Sequence, residues 1–199
     1  MHVLHCFKTK QLPLRIFLSG SAGTGKSLVI RTLYHLITQS LQRETPGAVN
    51  ADNDVVLLTA STGIAAHLIE GNTVHKAFHF TSATRSISAD KTNTLRSQLK
   101  DVQLQITDES SMIGATLFHL MDTRLQMLNG TKESFGGISQ IFVGDLMQLP
   151  AVKDQPIYGV PQASELSKLV TKSPAWEELE LFELTEIMRQ KDDLCLSKR

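Results

Sequence analysis

The chain has 199 residues, with 20 basic and 20 acidic side chains and a formal net charge of zero. That length suits one α/β domain with a sizeable core. Neutral balance excludes a bulk electrostatic pull toward DNA or membrane, so any nucleic-acid contact must come from a local groove. Two cysteines, Cys6 and Cys195, argue against a disulfide framework, and no apolar run reaches transmembrane length.

Residues 1–13 read as a loose N-terminal segment. Met1 to Lys10 lacks the apolar core of a signal peptide, so the protein is not expected to be secreted. His2, His5 and Cys6 resemble a metal cluster only superficially, because no second ligand pair lies near them.

Leu14 to Ser19 then reads as a buried strand running into "GSAGTGKS". Gly20, Ser21, Ala22, Gly23, Thr24, Gly25, Lys26 and Ser27 match the phosphate-loop pattern in full. Glycines let successive N–H groups point inward around phosphate oxygens. A helix opening at Lys26 adds its unpaired N–H groups and positive dipole end. Lys26 suits the β- and γ-phosphates of a nucleotide and Ser27 suits Mg²⁺. Leu28, Ile30, Leu33, Leu36 and Ile37 form the apolar stripe of that helix.

"DVVLLTA", Asp54 to Ala60, is a second strand, and Ser61 to Glu70 a following helix that ends at the Gly71-Asn72 turn. Thr81 to Lys100 reads as a polar surface excursion closing in a short helix. Val102 to Thr107 is a third strand, and Ala115 to Leu128 a helix with Leu117, Leu120, Met121, Leu125 and Leu128 on one side. Gln140 to Val143 is a fourth apolar run before "GDLMQLPAV", and Leu179 to Leu184 a last strand. Strands alternating with helices predict a mostly parallel sheet covered on both faces.

In such sheets ligands sit at the carboxyl ends of the strands. Asp108 and Glu109 follow the third strand and suit a magnesium-holding carboxylate and a base for the attacking water. An Asp-Glu pair is also common as a solvated turn, and Thr107 reads as a satisfied core hydroxyl.

"FLSGSAGTGKS", "LLTASTGIAAHLIEGNTVHKAF", "ITDESSMI", "FGGISQIFVGDLMQLPAV" and "LTEIMRQ" occur in this order. Together they resemble the first motor domain of the Pif-type (petite integration frequency) DNA helicases of superfamily one, in their Helitron-like form. The resemblance covers roughly Leu14 to Gln190. It implies a P-loop NTPase fold, RecA-like, over residues 14–190, with ATP as substrate and Mg²⁺ as cofactor. It gives Lys26, Asp108 and Glu109 catalytic roles, with Ser27 and Asp108 toward the metal. Gln148 would sense the γ-phosphate, and Arg189 would reach it late in the domain. Thr59, Ser61, Thr62, Gly63, Thr73, His75 and Lys76 would face single-stranded DNA, although Ser61 or Thr62 could equally cap the next helix.

The adenine-recognition segment usual in the family has no full counterpart before Gly20. The second RecA-like domain would lie beyond residues 191–199, which read as a tail. The resemblance therefore implies a 5′-to-3′ helicase acting at single strands and duplex junctions, here as a first motor domain or truncated form. A non-catalytic ATP- and DNA-binding remnant is the alternative. A small-molecule kinase would give "GDLMQLP" and "MRQ" no work. The family implies a nuclear or mitochondrial setting in a eukaryote and a cytoplasmic one otherwise, with no membrane partner. Repair, recombination, telomere and transposition roles are all compatible with it.

Overall fold

The computed structural model describes residues 2–9, 11–44, 54–80, 87–159 and 174–188. Six parallel strands form one sheet: β1 (Arg15–Gly20), β2 (Val56–Ala60), β3 (Asn72–Thr73), β4 (Leu104–Asp108), β5 (Ser139–Gly144) and β6 (Glu180–Leu184). Their spatial order is β3-β2-β4-β5-β1-β6, so β1, which feeds the glycine-rich loop, lies between β5 and β6. The central strands β2, β4 and β5 are buried along their whole length, as expected where helices cover both faces.

One face carries α1 (His2–Thr9), α2 (Lys26–Glu44) and α3 (Gly63–Leu68) over Ile16, Leu18, Val56, Leu58, Ile106 and Ile141. The other carries α4 (Val74–Ala77), α5 (Ala89–Leu99), α6 (Ala115–Asn129) and α7 (Pro174–Glu177) over Phe17, Leu57 and Phe142. Successive strand residues face opposite sides, and this period of two divides each apolar run between the two cores. Among the described residues, no helix is long and apolar enough to cross a membrane.

Several expectations need correction. The N-terminus is not loose: α1 buries Cys6 and Phe7 against the sheet, with Val3 and Leu4 packed beside them. The α2 stripe is narrower than its sequence suggests. Ile30, Ile37 and Leu41 are buried, whereas Leu28 and Leu36 face outward, since on a 3.6-residue period both fall on the far side of the helix from the buried row. In α6 the deepest aromatic is Phe118, outside the expected stripe. Its ring packs on Phe135 and Phe142 at 5.3 and 5.2 Å between centroids.

The sheet face toward α6 also carries polar side chains. Arg15 lies in register with Gln140, and Gln140 with Gln105. Arg15 donates to the Leu14 and Ile138 carbonyls at 3.0 and 2.7 Å and to that of Ser134, and lies 3.7 Å from the Glu178 carboxylate. A buried cation needs such partners, and these tie β1 to the turn before β5.

Candidate nucleotide cleft

The expected phosphate-loop residues form one turn between β1 and α2. Gly23 and Gly25 take φ of 83° and 88°, a left-handed conformation that glycine adopts without a Cβ penalty. The Thr24 hydroxyl donates to the Ser21 carbonyl at 2.8 Å and closes the turn. The Lys26 ammonium donates to the carbonyls of Gly20 and Ser21 at 2.6 and 3.0 Å. Ser21, Ala22 and Ser27 are exposed, and α2 starts at Lys26 as its sequence predicts.

Asp108 is the last residue of β4 and Glu109 the first beyond it, so both stand at the carboxyl edge of the sheet. The Asp108 carboxylate is buried, and its Oδ1 accepts from the Glu109 N–H at 2.8 Å. Burial lifts the Asp108 carboxyl above the usual aspartate range, and the Glu109 charge adds to this. The Glu109 N–H bond and nearby Lys26 pull the other way. Glu109 takes φ 52° and ψ 44°, a left-handed conformation uncommon outside glycine.

A cleft of about 380 Å³ collects Gly23, Gly25, Lys26, Ser27, Asp108, Glu109 and Gln148, a size within the usual range for small-molecule sites. Lys26 is the one cation lining it among the described residues. The Gln148 N–H bonds to the Asp145 carbonyl at 3.0 Å, and Gln148 is exposed where this cleft meets an open groove lined by Ile64, Leu68, Met147 and Leu149. Arg189 lies outside the described residues. Its neighbour Met188 donates its N–H to the Gly23 carbonyl at 2.9 Å and lines the cleft.

The residues expected at DNA divide. Thr59 is fully buried, and its hydroxyl lies 2.9 Å from that of Thr107, while the Gln105 amide donates to both. It is a core residue and no surface ligand, because an inward position on a central strand gives it no route to solvent. Thr62 caps α3 by accepting from the Ala65 N–H at 3.2 Å, and Thr73 caps α4 through the Lys76 N–H at 3.2 Å. Ser61 turns its hydroxyl to the Glu109 carbonyl. Gly63 is exposed with open space around it, and His75 is exposed beside Phe80. Lys76 lines a separate depression with Asp54, Asn72 and Gln98, at the edge of the sheet.

Two contributors escaped sequence reasoning. Asp154 accepts from the N–H and hydroxyl of Thr116 at 3.0 and 2.9 Å and so anchors the loop that carries Gln148 to the start of α6. Gly144 ends β5 against the turn after Glu109; a glycine directly after an apolar run was the available signal.

Fold and cleft together define a RecA-like α/β domain of the P-loop NTPase type. The family model described as PIF1-like helicase matches residues 5–198, and the chain belongs to that family. It is 31% identical over 186 residues to the ATP-dependent DNA helicase PIF1 of Saccharomyces cerevisiae, covering 90% of this chain and 20% of that protein. The Xenopus laevis protein of the same name is 32% identical, covering 92% and 26%. The crystal structure of the Candida albicans Pif1 helicase superposes with a TM-score of 0.70 at 28% identity, covering 98% of this chain and 41% of that one. A structure described as two coordinating Pif1 helicases at forked duplex DNA gives 0.64 at 25% identity, covering 95% and 43%. The chain thus spans a fifth to a quarter of these two curated relatives and less than half of the solved chains.

Proposed function

We propose that this chain is the first motor domain, or a truncated form, of an ATP-dependent 5′-to-3′ DNA helicase. The observation that carries the reading is the convergence of Lys26, Ser27, Asp108, Glu109 and Gln148 from three separate stretches of sequence into one cleft. Its relatives are ATP-dependent DNA helicases, and one solved neighbour acts at forked DNA.

The Lys26 ammonium bridges the Gly20 and Ser21 carbonyls, so it stands where phosphate oxygens would replace those acceptors. The loop N–H groups and the start of α2 bind and orient the triphosphate. Ser27 and the buried Asp108 would hold Mg²⁺. Hard oxygen donors suit it, and a carboxylate kept in a poorly solvated place gains most from a cation. Bound there, the metal would neutralise charge between the β- and γ-phosphates.

Glu109 takes the proton of the attacking water, and Gln148 joins the nucleotide cleft to the adjoining groove. Arg189, one residue past Met188, completes the set as a γ-phosphate contact in this reading. The single strand runs over Thr62 and Gly63, with Thr73, His75 and Lys76 as the outer candidates. Residues 14–190 form the motor domain, extended by α1, and a second RecA-like domain supplies the facing half of the cleft.

Steady-state ATP hydrolysis, with and without single-stranded DNA, tests this. The chain alone should hydrolyse ATP slowly and only with Mg²⁺, and should separate no strands. Lys26→Ala or Glu109→Gln should lower turnover by about a hundred- to a thousand-fold. A Lys26→Ala chain as active as its parent would sink the assignment. Tight ATP binding without turnover would favour a non-catalytic remnant.

A further inference from the structure

One side chain joins the end of β2 to the tip of β4. The Ser61 N–H donates to the Asp108 carbonyl at 3.3 Å, and the Ser61 hydroxyl donates to the Glu109 carbonyl at 2.9 Å. The Met112 N–H, at 3.2 Å, is the second donor to that carbonyl. A left-handed glutamate persists only where its surroundings impose it, and here they act from three sides. Ser61 holds the carbonyl from β2. The Ser110 hydroxyl donates to the Thr107 carbonyl at 2.9 Å, folding the turn back on its own strand. At the end of β5, an added Cβ on Gly144 would lie 3.0 and 3.1 Å from the N atoms of Ser110 and Ser111, so the turn already rests against that strand.

Behind this turn, the Thr59 and Thr107 hydroxyls lock β2 to β4 one residue before Ala60 and Asp108, which are themselves paired. A displacement of the β2–α3 junction is therefore handed to Glu109, since side chains as well as backbone connect the two strand ends. After Ser61 the junction continues through half-buried Thr62 to exposed Gly63, which has open space where a Cβ would go.

We infer that Ser61 is a positioning residue and not a DNA ligand: its hydroxyl sets the backbone of Glu109, and through it the state of the Thr62–Gly63 surface reaches the carboxylate in the cleft. This rests on the reading above that Glu109 is the base and that a single strand crosses Thr62 and Gly63. The Met112 N–H holds the Glu109 carbonyl from within its own turn, and the Ser61 hydroxyl is the donor that ties it to β2.

Amide NMR of the ¹⁵N-labelled chain, titrated with oligothymidylate, tests the link without requiring turnover. In the parent chain the oligonucleotide should move the resonances of Gly63 and Glu109 together. In Ser61→Ala the Gly63 response should remain and the Glu109 response should be lost. Ser61→Thr, which keeps the hydroxyl, should restore it. Fluorescence anisotropy should find the oligonucleotide affinity of Ser61→Ala within about twofold of the parent.

A Glu109 response that survives in Ser61→Ala, or never occurs although Gly63 responds, overturns the inference and leaves the DNA reading standing. So does a loss of affinity of tenfold or more in Ser61→Ala, which would make Ser61 a ligand. If neither resonance responds, the DNA reading itself fails and takes the inference with it.

Discussion

Asp108 shows at one residue how a site opposes its fold. Burial first, and the neighbouring Glu109 charge second, raise its carboxyl above the ordinary range. A raised carboxyl contributes stability that is present below the ordinary aspartate pKa and is lost as pH rises through the raised value. Once pH has risen through that raised value, the ionised Asp108 therefore weakens the fold. Asp108→Asn keeps an acceptor for the Glu109 N–H and removes the charge. It should raise the melting temperature at pH 7 by roughly 2–4 °C, with a smaller gain near pH 4, while abolishing turnover. Calorimetry at the two pH values checks this, and equal gains at both would refute it. Thr59 gives the opposite case. Thr59→Val leaves the Gln105 amide with Thr107 as its one remaining hydroxyl partner among those it bonds here. It should cost about 1–3 kcal/mol in urea unfolding and leave oligonucleotide affinity unchanged. A loss of affinity without a loss of stability would restore Thr59 to the surface.

At the scale of elements, the loop carrying Gln148 is held by its far end. Asp154 caps α6 through Thr116, Gln155 receives the Ala115 N–H at 2.9 Å, and Gly114 bridges to Pro156. A Cβ at Gly114 would fall on the Asp154 carboxyl group, so glycine there is required by the cap. Asp154→Ala should cost about 0.5–2 kcal/mol, the usual loss for a removed N-cap acceptor. Gly114→Ala should cost at least as much alone and less in the Asp154→Ala background, because the carboxyl part of the clash has then gone while the Cβ of residue 154, 2.5 Å from the added Cβ, remains. Urea unfolding of the two single variants and the double variant decides it, and strict additivity would show that the residues do not share a contact.

Across the whole molecule, the cleft and the groove beside it form one face at the carboxyl ends of the strands. Ile64, Met147 and Leu149 are 80%, 95% and 75% exposed on that face and belong to neither of the two cores that hold the sheet. Apolar side chains so placed mark a surface for contact more than for folding. Replacing Ile64 and Leu149 by serine should shift unfolding by less than about 0.5 kcal/mol while reducing binding of an apolar dye and raising solubility. A large destabilisation would show instead that the face belongs to the core of this chain.

The sequence by itself determined the alternation of strands and helices, the phosphate loop and the acidic pair. Each is written in contiguous residues whose local chemistry leaves few alternatives: glycines at φ above 80°, a lysine opening a helix, carboxylates ending an apolar run. Tertiary structure alone decided which polar residues face outward. Thr59 and Ser61 are two positions apart in one polar stretch, yet one is sealed behind Thr107 and the other reaches Glu109. Strand pairing, which joins residues more than forty positions apart, sets that difference, and no local pattern encodes it. The same holds for α1, where Cys6 and Phe7 read as a loose end until a sheet is present to bury them. It holds for Asp154 as well, whose cap on Thr116 exists because the chain returns to α6. Short-range sterics can be read along a chain, but burial is a property of the partners that folding brings from elsewhere.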